Sequence, residues 1–269
     1  MDLLKRNHAP ITVEAWKQID DEATRVLQLN LAGRKLVDFD GPHGWQYAAL
    51  NTGRLTLRRD GGLGVPWGVR EVAPLIEVRV PFELPIMELD NASRGAVLDL
   101  PPVVSAAEKT AHAEDNAIFN GFTAGGIEGI IPTAAHSALT IPDDYAHYPS
   151  VVVQAAETLR RAGINGPYAL ALGPSSYAGL AQAAQDGYPI RERVEHLLEG
   201  PMVLAPMVDG AVLLSHRGGD YQLCVGQYLS IGYAGHDQEK VYLYLTESFV
   251  FRVLEPGAAV YLKPKRAKR

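Results

Sequence analysis

The chain has 269 residues and a mass of 29.2 kDa, with 47% apolar and 21% charged residues, which excludes disorder and makes room for one or two domains of about 150 residues. A net charge of -6 excludes a wholly basic nucleic-acid coat, and one cysteine, Cys224, excludes an internal disulfide framework and any multi-cysteine zinc site. No run of about 18 apolar residues offers a membrane span, and the opening through Lys5, Arg6, His8 and Pro10 lacks the apolar core of a signal peptide, so the expected location is the cytoplasm.

Thr12 is a helix N-cap by type. Behind it Trp16, Ile19, Ala23, Val26, Leu27 and Leu31 recur at helical spacing and Gly33 supplies a stop, which predicts an amphipathic helix of about five turns. From Asn51 to Leu84 the pattern turns strand-like. Arg54 to Arg58 alternates with period two, Asp60-Gly61-Gly62-Leu63-Gly64 is a loop signal, and Pro74 and Pro81 confine pairing to edges. The reading is one long hairpin arm. Two strands alone are marginal in water and leave open edges, so the arm is expected to rest on something else, such as another chain.

Pro101-Pro102 starts a second helix, Val103 to Asn120, rich in alanine and closed by Gly121. A third runs from Val151 to Ala162, followed by a short buried strand from Tyr168 to Gly173 and two short helices, Ser175 to Gln185 and Ile190 to Leu198. Residues 131–219 therefore read as an α/β module. The C-terminal quarter is mostly strand: Ala211 to Ser215, Tyr221 to Gly226, Tyr228 to Tyr233 and Val241 to Leu254. The last is apolar on both faces, which predicts cover on both sides. A basic tail from Lys263 to Arg269 ends the chain.

The search for chemistry returns little. A phosphate loop GxxxxGK[ST] is absent, and Gly62-Leu63-Gly64 fails as GxGxxG because Trp67 occupies the closing position. Gly173-Pro174-Ser175-Ser176 is not a nucleophile elbow. The eight histidines are scattered without HExxH or ExxH, and His112-Ala113-Glu114 lacks the cysteine pair a zinc deaminase needs. Asp144 and His147 are the nearest carboxylate–imidazole spacing and fall in a loop. Cys224 sits in a strand as an inert buried thiol. Glu114 and Asp115 are consecutive in a helix, so they diverge by about 100° and serve better as partners for Arg or Lys than as a catalytic pair. The expectation is no catalytic residue, no metal ligand set and no cofactor: a structural or assembling protein rather than an enzyme.

Blocks in a fixed order now become recognisable: Leu3-Leu4-Lys5-Arg6, Ala32-Gly33-Arg34-Lys35-Leu36-Val37-Asp38, Gly41-Pro42-His43-Gly44-Trp45, Glu88-Leu89-Asp90-Asn91 and Ala113-Glu114-Asp115. Gly166-Pro167-Tyr168, Gly187-Tyr188-Pro189, Arg217-Gly218-Gly219-Asp220, Leu229-Ser230-Ile231-Gly232-Tyr233 and Thr246-Glu247-Ser248-Phe249 follow. Together they resemble a family 1 encapsulin shell protein, of the linocin or bacteriocin-like group. The resemblance implies an α+β fold of the HK97 phage major capsid type. It divides the chain into an N-terminal helix and start of the P-domain (1–49), an E-loop (50–84), the P-domain with its spine helix (85–130), an A-domain (131–219), and P-domain C-terminal strands with the basic tail (220–269). It further implies a closed icosahedral shell of about sixty copies or more. The shell would hold a ferritin-like iron-storage enzyme or a dye-decolorising peroxidase that carries a C-terminal targeting peptide, with catalysis belonging to that cargo.

On the same resemblance, Arg34, Val37, Asp38, Ile231 and Tyr233 form the cargo-peptide site, and Asp186, Gly187 and Tyr188 line a pore. Arg34→Ala would then spare the shell and lower its cargo. Two alternatives stay open: a phage major capsid protein packaging DNA, and a secreted hydrolase or bacteriocin. The net charge and the missing signal peptide weigh against each in turn.

Overall fold

A computed structural model describes residues 3–58, 65–185 and 188–265. Helix α1 (Val13–Asn30) begins where the Thr12 Oγ1 accepts the Ala15 N–H at 3.2 Å, and it buries Ala15, Ile19, Ala23, Val26 and Leu27. A 3-10 turn at Gly33–Lys35 leads into strand β1 (Asp38–Asp40). Strands β2 (Ala49–Arg58) and β3 (Trp67–Pro74) pair antiparallel as the arm. Strand β4 (Ile76–Pro85), helix α2 (Ile86–Ser93) and the long helix α3 (Pro101–Phe119) follow.

The middle of the chain runs α4 (Ile130–Thr133), β5 (Leu139–Thr140), α5 (Tyr148–Arg161), β6 (Tyr168–Leu172), α6 (Pro174–Gln182), β7 (Ala184–Gln185), β8 (Tyr188–Pro189), α7 (Ile190–Leu198) and β9 (Glu199–Leu204). Strands β10 (Ala211–Ser215), β11 (Tyr221–Val225), β12 (Ser230–His236), β13 (Lys240–Val253) and β14 (Ala259–Lys263) complete it.

Two five-stranded sheets carry the fold. In the first, β13 is central. One edge pairs with β4 from Lys240 to Phe249, and the other pairs with β12 and then β11, to which β1 adds in parallel. Helix α3 lies across β4 and β13, and α1 packs on α3. This buries one apolar cluster, including Ile19, Val103, Ile231, Leu243 and Leu245. The second sheet has the order β5-β14-β10-β6-β9, with α5 against β10 and β14 and α7 against β6 and β9. Its strands β6 and β10 are buried at every residue, as strands covered on both faces must be.

Several expectations change in detail. The arm is shorter than 51–84, because the chain bends at Leu75 and β4 leaves the hairpin to pair with β13. The half-buried Leu75 and Ile76 pack against the core there, which anchors the bend. Residues 259–263 belong to the second sheet, so the C-terminal segment returns to the α/β module rather than staying with the first sheet. Helix α5 starts earlier than Val151, with Pro149 in its first turn. The predicted helix to Gln185 ends at Gln182, and residues 184–185 pair with 188–189 instead. Asp186 and Gly187 of the pore expectation, the arm's glycine loop at 61–64 and the end of the basic tail lie outside the described residues.

Candidate functional site

The 3-10 turn after α1 is where the sequence placed Arg34, and its side chain is already committed. Its Nε donates to Glu114 Oε1 at 2.9 Å and its Nη2 to Glu114 Oε2 at 2.6 Å. Nη2 also pairs with Glu247. Both carboxylates are fully buried and the Arg34 side chain is 12% exposed. Glu247 reaches this point because it alternates with Leu245 and Phe249 on the face of β13 that meets α3.

Burial opposes the charge of Arg34, but Glu114 and Glu247 outweigh it and hold the guanidinium more basic than usual. Burial, reinforced by the neighbouring Glu114, pushes Glu247 well above the carboxylate range. The second Glu247 oxygen, Oε2, has no hydrogen-bond partner among the described residues. The adjacent Asp115 points elsewhere, as helical geometry demands. Its two oxygens accept the Ala32 and Gly33 N–H groups, both at 2.9 Å. Burial raises it to about 7 against the pull of those two donors.

The remaining expected peptide-site residues fall in two places. Val37 and Asp38 line a cleft of about 300 Å³ with His216 and Arg217. There Asp38 accepts the Gly219 N–H at 2.5 Å rather than pairing with Arg34, while Arg217 is held by Asp220 at 2.8 Å. Ile231 and Tyr233 share one face of β12. Ile231 is buried in the cluster under α1, and Tyr233 is half-buried at its margin. The Tyr233 N–H donates to Leu4 O at 2.8 Å, which ties the N-terminal segment to β12.

Three aromatic residues join these places and were missed by the sequence reading. The Arg34 guanidinium carbon lies 5.2 Å from the ring centroids of both Phe39 and Tyr228, which meet edge to face. Tyr228 continues into an apolar groove of about 410 Å³ with Leu3, Leu4, Trp45 and Ser230. Phe39, Trp45 and Tyr228 are 40%, 57% and 49% exposed, a concentration of open aromatic surface. Their signal was available as aromatic residues set in polar surroundings beside the Gly41-Pro42 and Gly226 turns.

Tyr188 stands 77% exposed beside the described ends of the two-residue ladder between β7 and β8. Along the arm, Leu55 and Leu57 project from one face and are 45% and 71% exposed. Among the described residues no helix is long and apolar enough to cross a membrane.

A family model described as "Encapsulating protein for peroxidase" matches residues 1–250. The chain is 47% identical to a type 1 encapsulin shell protein of Rhodospirillum rubrum, over 98% of this chain and 97% of that one. It is 41% identical to a type 1 encapsulin shell protein of Mycobacterium tuberculosis, over 97% and 99%. In structure it is similar to a virus-like particle from Pyrococcus furiosus, with a TM-score of 0.69 and 17% identity over 93% of this chain and all of that one. The capsid of the Myoviridae phage XM1 follows at a TM-score of 0.58 and 13% identity, over 88% of this chain and 92% of that one. At such identities the likeness is one of fold, the α+β architecture of HK97-type capsid proteins.

Proposed function

The chain belongs to the family of type 1 encapsulin shell proteins, self-assembling proteins with the HK97-type capsid fold, and from that premise we propose that its shell is a cytoplasmic container for an enzyme. The observation that carries assembly is the arm. Among the described residues strands β2 and β3 pair only with each other, and Leu55 and Leu57 on one face of β2 stay exposed. Two strands with an open apolar face gain their stability by lying on a neighbour. About sixty copies in a closed shell would weigh about 1.75 MDa from 29.2 kDa chains.

The guest is an enzyme with a C-terminal targeting peptide, and the family's description supports a peroxidase; a ferritin-like enzyme is the alternative guest. The peptide docks extended along the strip from the Val37–Asp38 cleft past Phe39 and Tyr228 to Tyr233. Apolar side chains of the peptide fill the aromatic groove, and its backbone meets the polar margin at Asp38 and Ser230. Ile231 acts from below, as packing beneath Tyr233, and Arg34 acts by holding Phe39 and Tyr228 in place. The shell itself supplies no reaction; catalysis belongs to the guest. The exposed Tyr188 lies at the rim of a pore for small solutes.

Electron microscopy of the purified protein, with mass spectrometry of what co-purifies, tests this reading. Closed shells holding an oxidoreductase whose C-terminal peptide is needed for retention are the expected result. A well-folded species sedimenting near 30 kDa, or shells that retain the enzyme equally after its C-terminal peptide is removed, would overturn assembly and docking respectively.

A further inference from the structure

The parallel pairing of β1 with β11 sets Asp40 beside Cys224 in register. Both side chains therefore leave the sheet on the same side. The chain then turns back at Gly41, where a side chain would strike the Val225 carbonyl, with Cβ 2.5 Å from its oxygen. The His43 N–H donates to Val225 O at 3.0 Å and the Gly44 N–H to Gly226 O at 2.8 Å, which locks the turn on the end of β11. This returns the His43 ring to Asp40, Nε2 to Oδ1 2.9 Å.

A carboxylate oxygen, an imidazole nitrogen and a thiol sulfur thus lie within 4.8 Å of one another, the one such mixed cluster among the described residues. Donor atoms around a tetrahedral zinc ion stand roughly 3.3–3.8 Å apart, given bonds of about 2.0–2.3 Å. The Asp40–His43 pair, at 2.9 Å, lies just inside that spacing, and no two of the three donors are more than 4.8 Å apart.

The surroundings resemble those of a built site. The free oxygen of Asp40 accepts the Gln222 amide at 2.8 Å, and Gln222 in turn accepts from Arg252 Nε at 2.8 Å, so the carboxylate is oriented from behind. The His43 ring lies against Tyr47, centroids 4.6 Å apart. Cys224 is fully buried beneath, while Asp40 and His43 are each 37% exposed, so an ion can enter from the solvent side and meet the sulfur below.

We propose that Asp40, His43 and Cys224 form a site for a zinc-class divalent ion, with thiolate, imidazole and carboxylate on three tetrahedral positions and water on the fourth. Coordination replaces the thiol proton, which passes to solvent, one per ion bound. A mixed sulfur, nitrogen and oxygen set suits Zn(II) or Co(II) and disfavours Mg(II) and Ca(II), which take oxygen alone. The ion would tie the root of the arm, at residues 41–48, to the end of β11. The sequence reading found no ligand set because it weighed Cys224 alone, and the other two donors lie more than 180 residues away.

Shells stripped with a chelator and titrated with Co(II) and, separately, Zn(II) test the site. The expected result is one ion per chain, a thiolate-to-cobalt charge-transfer band, and a rise in melting temperature with Zn(II). His43→Ala, at a partly exposed position, should weaken binding at least tenfold, and Cys224→Ser should abolish the band. Absence of a stoichiometric ion and of the charge-transfer band, or equal binding by wild type and the folded His43→Ala shell, would overturn the proposal. Should Cys224→Ser fail to fold, the His43→Ala comparison still decides.

Discussion

Removing the Arg34 guanidinium leaves two buried carboxyl groups facing each other with no cation between them. Breaking a buried pair in this way costs about 3–5 kcal/mol, so Arg34→Ala should lower the melting temperature of the shell and its yield together with any loss of cargo. Cargo docking is therefore better read from Asp38→Ala and Tyr228→Ala, whose side chains are exposed. These should leave melting nearly unchanged and reduce retained cargo several-fold, measured by densitometry of purified shells.

Asp115 makes a separate prediction for pH. Its ordinary value is 3.8 and burial raises it to about 7, so between these values the folded chain holds a proton that the unfolded chain has released. Its contribution to stability is full below about pH 4 and is lost as the pH rises toward 7. Urea midpoints should fall from pH 5 to pH 7.5, and Asp115→Asn should flatten that slope; a slope the substitution leaves untouched would contradict the assignment. The divergence of Glu114 and Asp115 was legible from helical geometry alone, as was an arginine partner for one of them. Which arginine was not legible, because Arg34 lies 80 residues from Glu114 and 213 from Glu247, a pairing that only the packing of α3 on β13 creates.

Among the elements, the arm gives the sharpest contrast between folding and assembly. Leu55 and Leu57 share a face because they alternate along β2, and Leu57 stands opposite Gly68, which offers no side chain to cover it. Leu57→Asp should change the stability of the isolated fold by no more than about 0.5 kcal/mol, as surface substitutions do, yet prevent shell closure. Circular dichroism and sedimentation velocity on one sample check both halves, and closed shells at wild-type yield would contradict it. The sequence made this arm visible through period-two alternation and a glycine loop. It did not show where the arm stops, because β4 has the same strand character and is separated only by the bend at Leu75. Strand β9 was left unassigned: Gly200 and Pro201 are residue types poor in strands, yet here they belong to a parallel edge strand on β6. Strand β14 was not read as a strand: only its last residue, Lys263, falls in the basic tail, and the four apolar residues before it form too short a run to stand out. Helix α1 was clear because cap, stripe and stop agreed, and α3 because Pro101-Pro102 and Gly121 bound it.

At the scale of the whole molecule, each chain carries a net charge of -6, so closing a shell gathers like charge while it buries apolar surface. The two effects respond oppositely to salt. Repulsion between exposed charges is screened within a Debye length of about 10 Å at 0.1 M ionic strength, whereas burial of Leu55, Leu57 and other exposed apolar residues does not weaken as salt is added. If apolar contacts hold the chains and net charge opposes them, raising sodium chloride from about 0.05 to 0.5 M should increase the assembled fraction under partially dissociating conditions, with the Debye length falling below about 5 Å. If ion pairs between neighbouring chains held the shell, the same change would dissociate it. Light scattering across that salt series, with Leu57→Asp as the control that lacks the apolar contact, separates the two. The apolar case requires the wild type to gain assembly with salt while the variant stays dissociated throughout.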